Sequence, residues 1–213
     1  MTVGAVFFDV GETLVDEERW WRHVADAAGV GPHVVWAALG KTIERGEEHW
    51  ELWHHLGVER PADAWSGVVY SLDDLYPDAL SCLEEMRAAG YLVGIAGNQN
   101  AALEAWARSA ELPVDIVAGS ASLGCRKPDP AFFAGLVGLA GMTPHEVAYV
   151  GDRVDNDVLP ALAAGMAAVH LRRGPWGMLQ PTPPEAASIE SLSELAAVLD
   201  ECRGPRGTRT PRL

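Results

Sequence analysis

Cysteine is scarce in this chain: three in 213 residues, at positions 82, 125 and 202. An odd, scattered set fits neither a disulfide framework nor a zinc-ligand spacing, which points to a reducing, cytoplasmic setting. Lysine is scarcer still, with only Lys41 and Lys127. Basic charge is short overall: 16 Lys and Arg face 30 Asp and Glu, a formal net charge of −14. Four of those sixteen fall in the last eleven residues, so the body carries twelve basic against thirty acidic groups. Such a surface repels nucleic-acid backbones and anionic lipid, and both are excluded as partners. It suits a site that recruits a cation. No apolar run approaches membrane-spanning length. The first one is short, lacks a basic lead and is broken by Asp9 and Glu12, so it does not read as a signal peptide. Internal repeats are absent.

What is present is two textures. Ala5-Val6-Phe7-Phe8 runs straight into Asp9, as a strand buried on both faces of a parallel sheet would. From Asp16 to about Leu75 the pattern turns helical. Candidate helices cover Trp20 to Ala28, Val34 to Ile43 and Glu44 to Leu56, and a fourth opens at Pro61. Six of the eight tryptophans (20, 21, 36, 50, 53, 65) lie here. A small helical unit needs bulky residues for a core, so most read as packing, with a minority free to line a pocket. His49, His54 and His55 read as surface or packing residues.

Strand–helix alternation returns at Pro77. Strands are expected at 91–96, 114–118, 146–150 and 167–171. Helices are expected at 78–89, from 99 or 100 to about 111, at 130–140, about 157–164 and 191–200. This order predicts an α/β fold, a doubly wound parallel sheet with a small all-helical insertion. The expected division is residues 1–15 with 76–202 as the core, 16–75 as the insertion, and a disordered basic tail at 203–213.

Ligands of open α/β sheets bind beyond the carboxyl ends of the strands. At that edge the first strand delivers Asp9, the second Gly97 and Asn98, the third (through its loop) Lys127, and the fourth Asp152, with Asp155 and Asp157 just beyond. Acids gathered from separate strands are costly unless a cation joins them. Oxygen ligands of this kind suit Mg²⁺. The matching ligand is a phosphate, its charge shared between the metal and Lys127.

Asp9-Val10-Gly11-Glu12-Thr13, Lys127-Pro128-Asp129-Pro130 and Gly151-Asp152-Arg153-Val154-Asp155-Asn156-Asp157 together resemble the haloacid dehalogenase superfamily of aspartate-nucleophile phosphohydrolases. The likeness runs from Val6 to about Gly177. It implies a Rossmann-like core, with residues 16–75 as a mobile cap. It implies Asp9 as nucleophile, Lys127 holding phosphate and Asp9 in register, and Thr13 supporting the loop. Mg²⁺ would be held by Asp9, Asp152 and the backbone carbonyl of Gly11, its shell oriented by Asp157 or Asp155.

Two departures from that pattern matter. Gly11 replaces the aspartate that serves as general acid and base, and Glu12 beside it is a possible substitute. Gly97 replaces a hydroxyl residue that would bind a phosphate oxygen, leaving backbone N–H groups of Gly97 or Asn98 to the task. The expectation is a weak Mg²⁺-dependent phosphatase of a small phosphorylated metabolite. Its alternatives are a non-catalytic binder of a phosphorylated ligand or protein, and a metal-free carbon–halogen hydrolase.

Overall fold

The computed structural model describes residues 2–62, 64 and 69–203. Strands β1 (Ala5–Phe8), β2 (Leu92–Gly97), β3 (Ile116–Gly119), β4 (Val147–Gly151), β5 (Ala167–Leu171) and β6 (Ala187–Ile189) form one sheet. Their order is β3-β2-β1-β4-β5-β6, and every pairing is parallel. Ala5–Phe8 lies in register with Leu92–Ile95 on one side and Val147–Val150 on the other. All four β1 residues are buried, which is why the run is apolar without alternation. Val6 and Phe8 face one core cluster, Ala5 and Phe7 the other, as the two-residue period of a strand requires. Gly94 gives the Phe7 ring its room: a Cβ there would stand 2.4 Å from the ring carbons.

The helical insertion carries α1 (Glu18–Ala28), α2 (Pro32–Glu44) and α3 (Leu52–Leu56). Trp21, Val24, Val35, Leu39, Leu52 and Trp53 close a third cluster, which Trp176 joins from the core. The expected helix over Glu44 to Leu56 is split. Gly46 takes φ +64° two residues past the end of α2, and the chain re-enters helix only through a short 3₁₀ turn at His49–Glu51. The helix expected from Pro61 falls largely on positions 63 and 65–68, outside the described residues, as does the tail from position 204.

Helices α4 (Ala79–Ala88), α5 (Ala101–Ser109), α6 (Ser120–Leu123), α7 (Pro130–Ala140), α8 (Leu159–Ala163), α9 (Gly174–Leu179) and α10 (Leu195–Arg203) follow. α4, α5 and α10 cover one face of the sheet, α7 and α8 the other. Caps match the sequence signals: Asn100 accepts from the Leu103 N–H at the start of α5, and Asp129 from Ala131 at the start of α7. Three features were not legible. β6 is three residues long, α6 and α9 are short, and the helix after β4 begins at Val154 with a wide π-type turn rather than near Asp157. No helix among the described residues is long and apolar enough to cross a membrane.

The sheet order reverses at β1, whose neighbours β2 and β4 lie on opposite sides. The crevice at such a reversal is where a doubly wound sheet binds its ligand.

Candidate active site

Asp9 follows β1 directly, and its N–H donates to the Val150 carbonyl at 2.8 Å. The side chain is thereby fixed at the mouth of the crevice. Lys127 reaches the same point from the loop after α6. It is 2% exposed, and its Nζ lies 2.8 Å from Asp9 Oδ1 and 2.5 Å from Asp157 Oδ1. Burial alone would pull its ammonium down, but Asp157 and Asp9 outweigh that and hold it well above the usual lysine range. Asn98 clamps the lysine backbone: the Lys127 N–H donates to Asn98 Oδ1 at 2.7 Å, and Asn98 Nδ2 donates to the Lys127 carbonyl at 3.0 Å. The Asn98 side chain therefore positions Lys127.

Asp9, Asp152 and Asp157 each offer a carboxylate oxygen within 4.8 Å of the other two. Asp157 is fully buried and engaged at both oxygens, by Lys127 on Oδ1 and by the Arg153 N–H on Oδ2 at 3.0 Å. Asp152 is different. Among the described residues no hydrogen bond or ion pair reaches its carboxylate, and burial followed by Asp157, Asp9 and Glu12 pushes its proton affinity far up. A buried carboxylate in that state calls for a cation. Asp9 and Asp152 present an oxygen-only pair of carboxyl donors, which fits Mg²⁺. Asp155 instead turns outward to pair with Arg153 at 2.6 Å. Thr13 is fully buried, outside the cavity lining, and its carbonyl accepts from Arg173 Nη1 at 3.0 Å. His170 lies under the β4 loop with Nε2 3.1 Å from the Asp152 carbonyl. A carbonyl only accepts, so Nε2 carries the proton and Nδ1 takes the Thr182 hydroxyl at 2.6 Å.

The two glycines that depart from the family pattern prove crowded. An ideal Cβ on Gly97 would stand 2.7 Å from Asp9 Oδ1, so a side chain there would displace the candidate nucleophile. An ideal Cβ on Gly11 would stand 2.4 Å from Oε1 and 2.7 Å from Cδ of Glu17. The Glu17 carboxyl thus occupies the volume that an aspartate at position 11 would fill. It comes from the start of α1, is 9% exposed, and accepts a 2.5 Å hydrogen bond from the Tyr70 hydroxyl. Burial, then Glu12, pushes its pKa up to about 8. Glu12 itself takes φ +52° and turns toward Tyr76, whose hydroxyl donates to Oε2 at 2.6 Å. Burial raises it to about 7. Asp9 acts on the Glu17 carboxyl but is not among the main influences on Glu12.

Above these groups lies a cavity of about 710 Å³. Its floor includes Asp9, Glu17, Lys127 and Asp152, and its far wall Trp20, Trp50, His49, Arg60 and Arg126. Trp53 is core, Trp20 and Trp50 reach the cavity, and Trp21 does both, packed in the helical cluster and lining the cavity, so both expected roles of the tryptophans occur. His49, read from sequence as a surface or packing residue, belongs to that wall. Its burial, with Arg153, Arg126 and Arg60 nearby, lowers its pKa to about 4. Gln99 also lines the cavity, is 4% exposed, and neither atom of its amide has a partner among the described residues. An unmade hydrogen bond of that kind costs about 1–3 kcal/mol.

The chain is similar to known proteins. The chain is 34% identical over 110 residues to glyceraldehyde 3-phosphate phosphatase of Methanopyrus kandleri, covering 50% of this chain and 47% of that one. It is 32% identical over 129 residues to phosphoserine phosphatase of Thermus thermophilus, covering 58% and 49%. It thus spans about half the length of these relatives. The magnesium-bound structure of a HAD-hydrolase of Bacillus subtilis superposes with a TM-score of 0.69 at 16% identity, over 94% of this chain and all of that one, a likeness of fold. The family model for haloacid dehalogenase-like hydrolases matches residues 3–165, which takes in the Asp9, Lys127 and Asp152–Asp157 loops together, and the chain belongs to that family.

Proposed function

We propose that the protein is a phosphohydrolase of a small phosphorylated metabolite that works through an aspartyl-phosphate at Asp9. The observation that carries this reading is the convergence of Asp9, Lys127 and the partnerless Asp152 on one cavity floor. Asp9 attacks phosphorus while Lys127 holds Asp9 and a phosphoryl oxygen in line. The P–O bond to the alcohol breaks, and the neutral Glu17 carboxyl gives that oxygen its proton. Glu17, now ionised, takes a proton from water as the water oxygen attacks phosphorus. Phosphate leaves, and Asp9 and the Glu17 proton are restored. The Tyr70 hydroxyl donates to Glu17 Oε1, which leaves Oε2 to carry the mobile proton. Mg²⁺, held by Asp9 and Asp152 with the Gly11 carbonyl, would neutralise charge on the phosphoryl oxygens when bound. Asp157 steadies Lys127 beside it. Residues 16–75 act as the cap over this floor.

The non-catalytic alternative drew its strength from the bare positions 11 and 97. Glu17 in the volume of a position-11 side chain supports turnover instead. The cation demand at Asp152 supports a metal-dependent phosphatase over a metal-free carbon–halogen hydrolase. Hydrolysis of an aryl phosphate is expected with Mg²⁺ and not in EDTA. Equal rates in the two conditions would sink the metal assignment, and no release of phosphate in either would sink the reading.

The far wall bears on the substrate. Arg126 lies over Trp50, its Cζ 5.4 Å from the ring centre, and Arg60 lines the same side. Neither guanidinium forms an ion pair among the described residues. In a body so short of basic groups, this rim favours esters whose alcohol part carries a second anionic group. Arg126→Ala is expected to raise KM about fivefold for a carboxylated phosphate ester, the scale of an exposed ion pair. KM for a neutral aryl phosphate should stay put. An equal rise for both would show that Arg126 shapes the cavity without reading the tail.

A further inference from the structure

We infer that the side-chain amide of Gln99 is a phosphate-binding group, its N–H donating to a phosphoryl oxygen in place of the hydroxyl that Gly97 lacks. The inference rests on the phosphohydrolase reading of the Asp9 cavity and names one more contact within it. Three observations carry it.

The first is position. Gln99 Cγ lies 3.6 Å from the point a Cβ of residue 97 would occupy, and Asp9 Oδ1 lies 2.7 Å from that same point. The Gln99 side chain therefore passes over the bare glycine beside the nucleophile. A serine or threonine at 97 would bring a hydroxyl to this corner but would crowd Asp9. A longer side chain from two residues on reaches the corner without that clash.

The second is its unmet chemistry. Gln99 is 4% exposed, lines the cavity, and neither Nε2 nor Oε1 has a hydrogen-bond partner among the described residues. Buried amides are almost always paired, so one that is not calls for a reason. Glutamine offers two N–H donors, and the tetrahedral oxyanion expected beside Asp9 offers only acceptors. Beside Asp9 the floor also offers the Lys127 ammonium, already shared with Asp9 and Asp157.

The third is rigidity of the mount. The Gln99 N–H donates to the Gly97 carbonyl at 2.8 Å, and the Gln99 carbonyl accepts from Ser120 Oγ at 2.9 Å and from the Ala121 N–H at 3.2 Å. With its own backbone tied to the end of β2 and the start of α6, the side chain is presented from a fixed base. A donor held in place before the ligand arrives loses little freedom on binding it.

The test is calorimetric titration of the full chain with inorganic phosphate in the presence of Mg²⁺, with thermal unfolding as the companion readout. Gln99→Leu should weaken phosphate binding about ten- to a hundredfold, the range for a hydrogen bond to a charged group. Its unfolding temperature should hold or rise, because an unpaired buried amide is replaced by an apolar group of similar size. A residue that merely shaped the fold would give the opposite pattern. Gln99→Glu, nearly isosteric, is the second variant and should weaken phosphate at least as much by placing a like charge beside it. Phosphate bound by folded Gln99→Leu and Gln99→Glu as tightly as by the wild type would overturn the inference and leave the phosphohydrolase reading standing. No binding by the wild type itself would bring down both.

Discussion

Asp9→Asn is expected to abolish hydrolysis of aryl and alkyl phosphates alike, lowering kcat by more than about 10³-fold. Losses of that order follow when a covalent nucleophile is removed from a site whose other groups remain. The change is nearly isosteric, so packing at the end of β1 is kept. The backbone bond from residue 9 to the Val150 carbonyl is untouched. Lys127 keeps its 2.5 Å partner in Asp157, so its ammonium stays paired. Removing Asp9's charge also relieves Asp152, which Asp9 and Asp157 push toward protonation. Stability in EDTA should therefore hold or rise while activity disappears, a pairing that unfolding cannot produce. Acid quenching of the wild type with labelled substrate should trap an acyl-phosphate that the variant does not form. Residual turnover within tenfold of the wild type would assign the nucleophile elsewhere.

Asp9, Lys127 and Asp152 were legible because each ends a recognisable segment. An apolar run stopped by an acid, a lone lysine before Pro-Asp-Pro and a Gly-Asp after a second run all announce strand ends. Parallel topology then brings them together without further information. Glu17 was not legible. It reaches Gly11 only because the chain after β1 folds back on itself, with Val15 bridging Gly11 on one side and Leu75 on the other. Residues 16–74 lie between Val15 and Leu75. Its nearest sequence signal was an excess of acids at 12, 16, 17 and 18, and that pattern reads equally well as a solvated turn. Gln99 was hidden by its neighbour: Asn100 is the true cap of α5, and a polar run before a helix draws attention as a cap alone. His170 sits inside β5, where an apolar run masks the one polar side chain that faces the Asp152 loop. The insertion was legible as helix, but the break at Gly46 depends on a left-handed residue that its flanking pattern did not mark.

Glu17→Gln is expected to cut kcat for an alkyl phosphate by about 10²–10⁴-fold, the usual range for general acid–base catalysis. An aryl phosphate, whose leaving group departs without a proton, should keep most of its rate in the first half of the reaction. It should then slow at hydrolysis of the aspartyl-phosphate, so a burst of aryl alcohol precedes slow turnover. The same variant has a signature in stability. The folded-state pKa of Glu17 is about 8, above its ordinary 4.5, so the folded form holds the proton more tightly than the unfolded one. Its contribution is complete below pH 4.5 and drains away as pH climbs toward 8. Glutamine cannot titrate. In EDTA, unfolding temperatures of wild type and variant should therefore diverge in the variant's favour between pH 5 and 8. Glu12, raised to about 7, keeps part of the wild-type slope in both proteins. Gly11→Asp alone is not a gain here, because its carboxyl would collide with that of Glu17. The paired change Gly11→Asp with Glu17→Ala moves the acid from the insertion back to the loop. Recovery of alkyl phosphate turnover in that pair, after its loss in Glu17→Gln, would show that one carboxyl in this volume is what the reaction requires, whichever residue supplies it. Failure of the pair, with Glu17→Gln also impaired, would tie the function to the Glu17 carboxyl in its place beside the Tyr70 hydroxyl. Full alkyl phosphate activity in Glu17→Gln would remove Glu17 from the mechanism and return the question to Glu12.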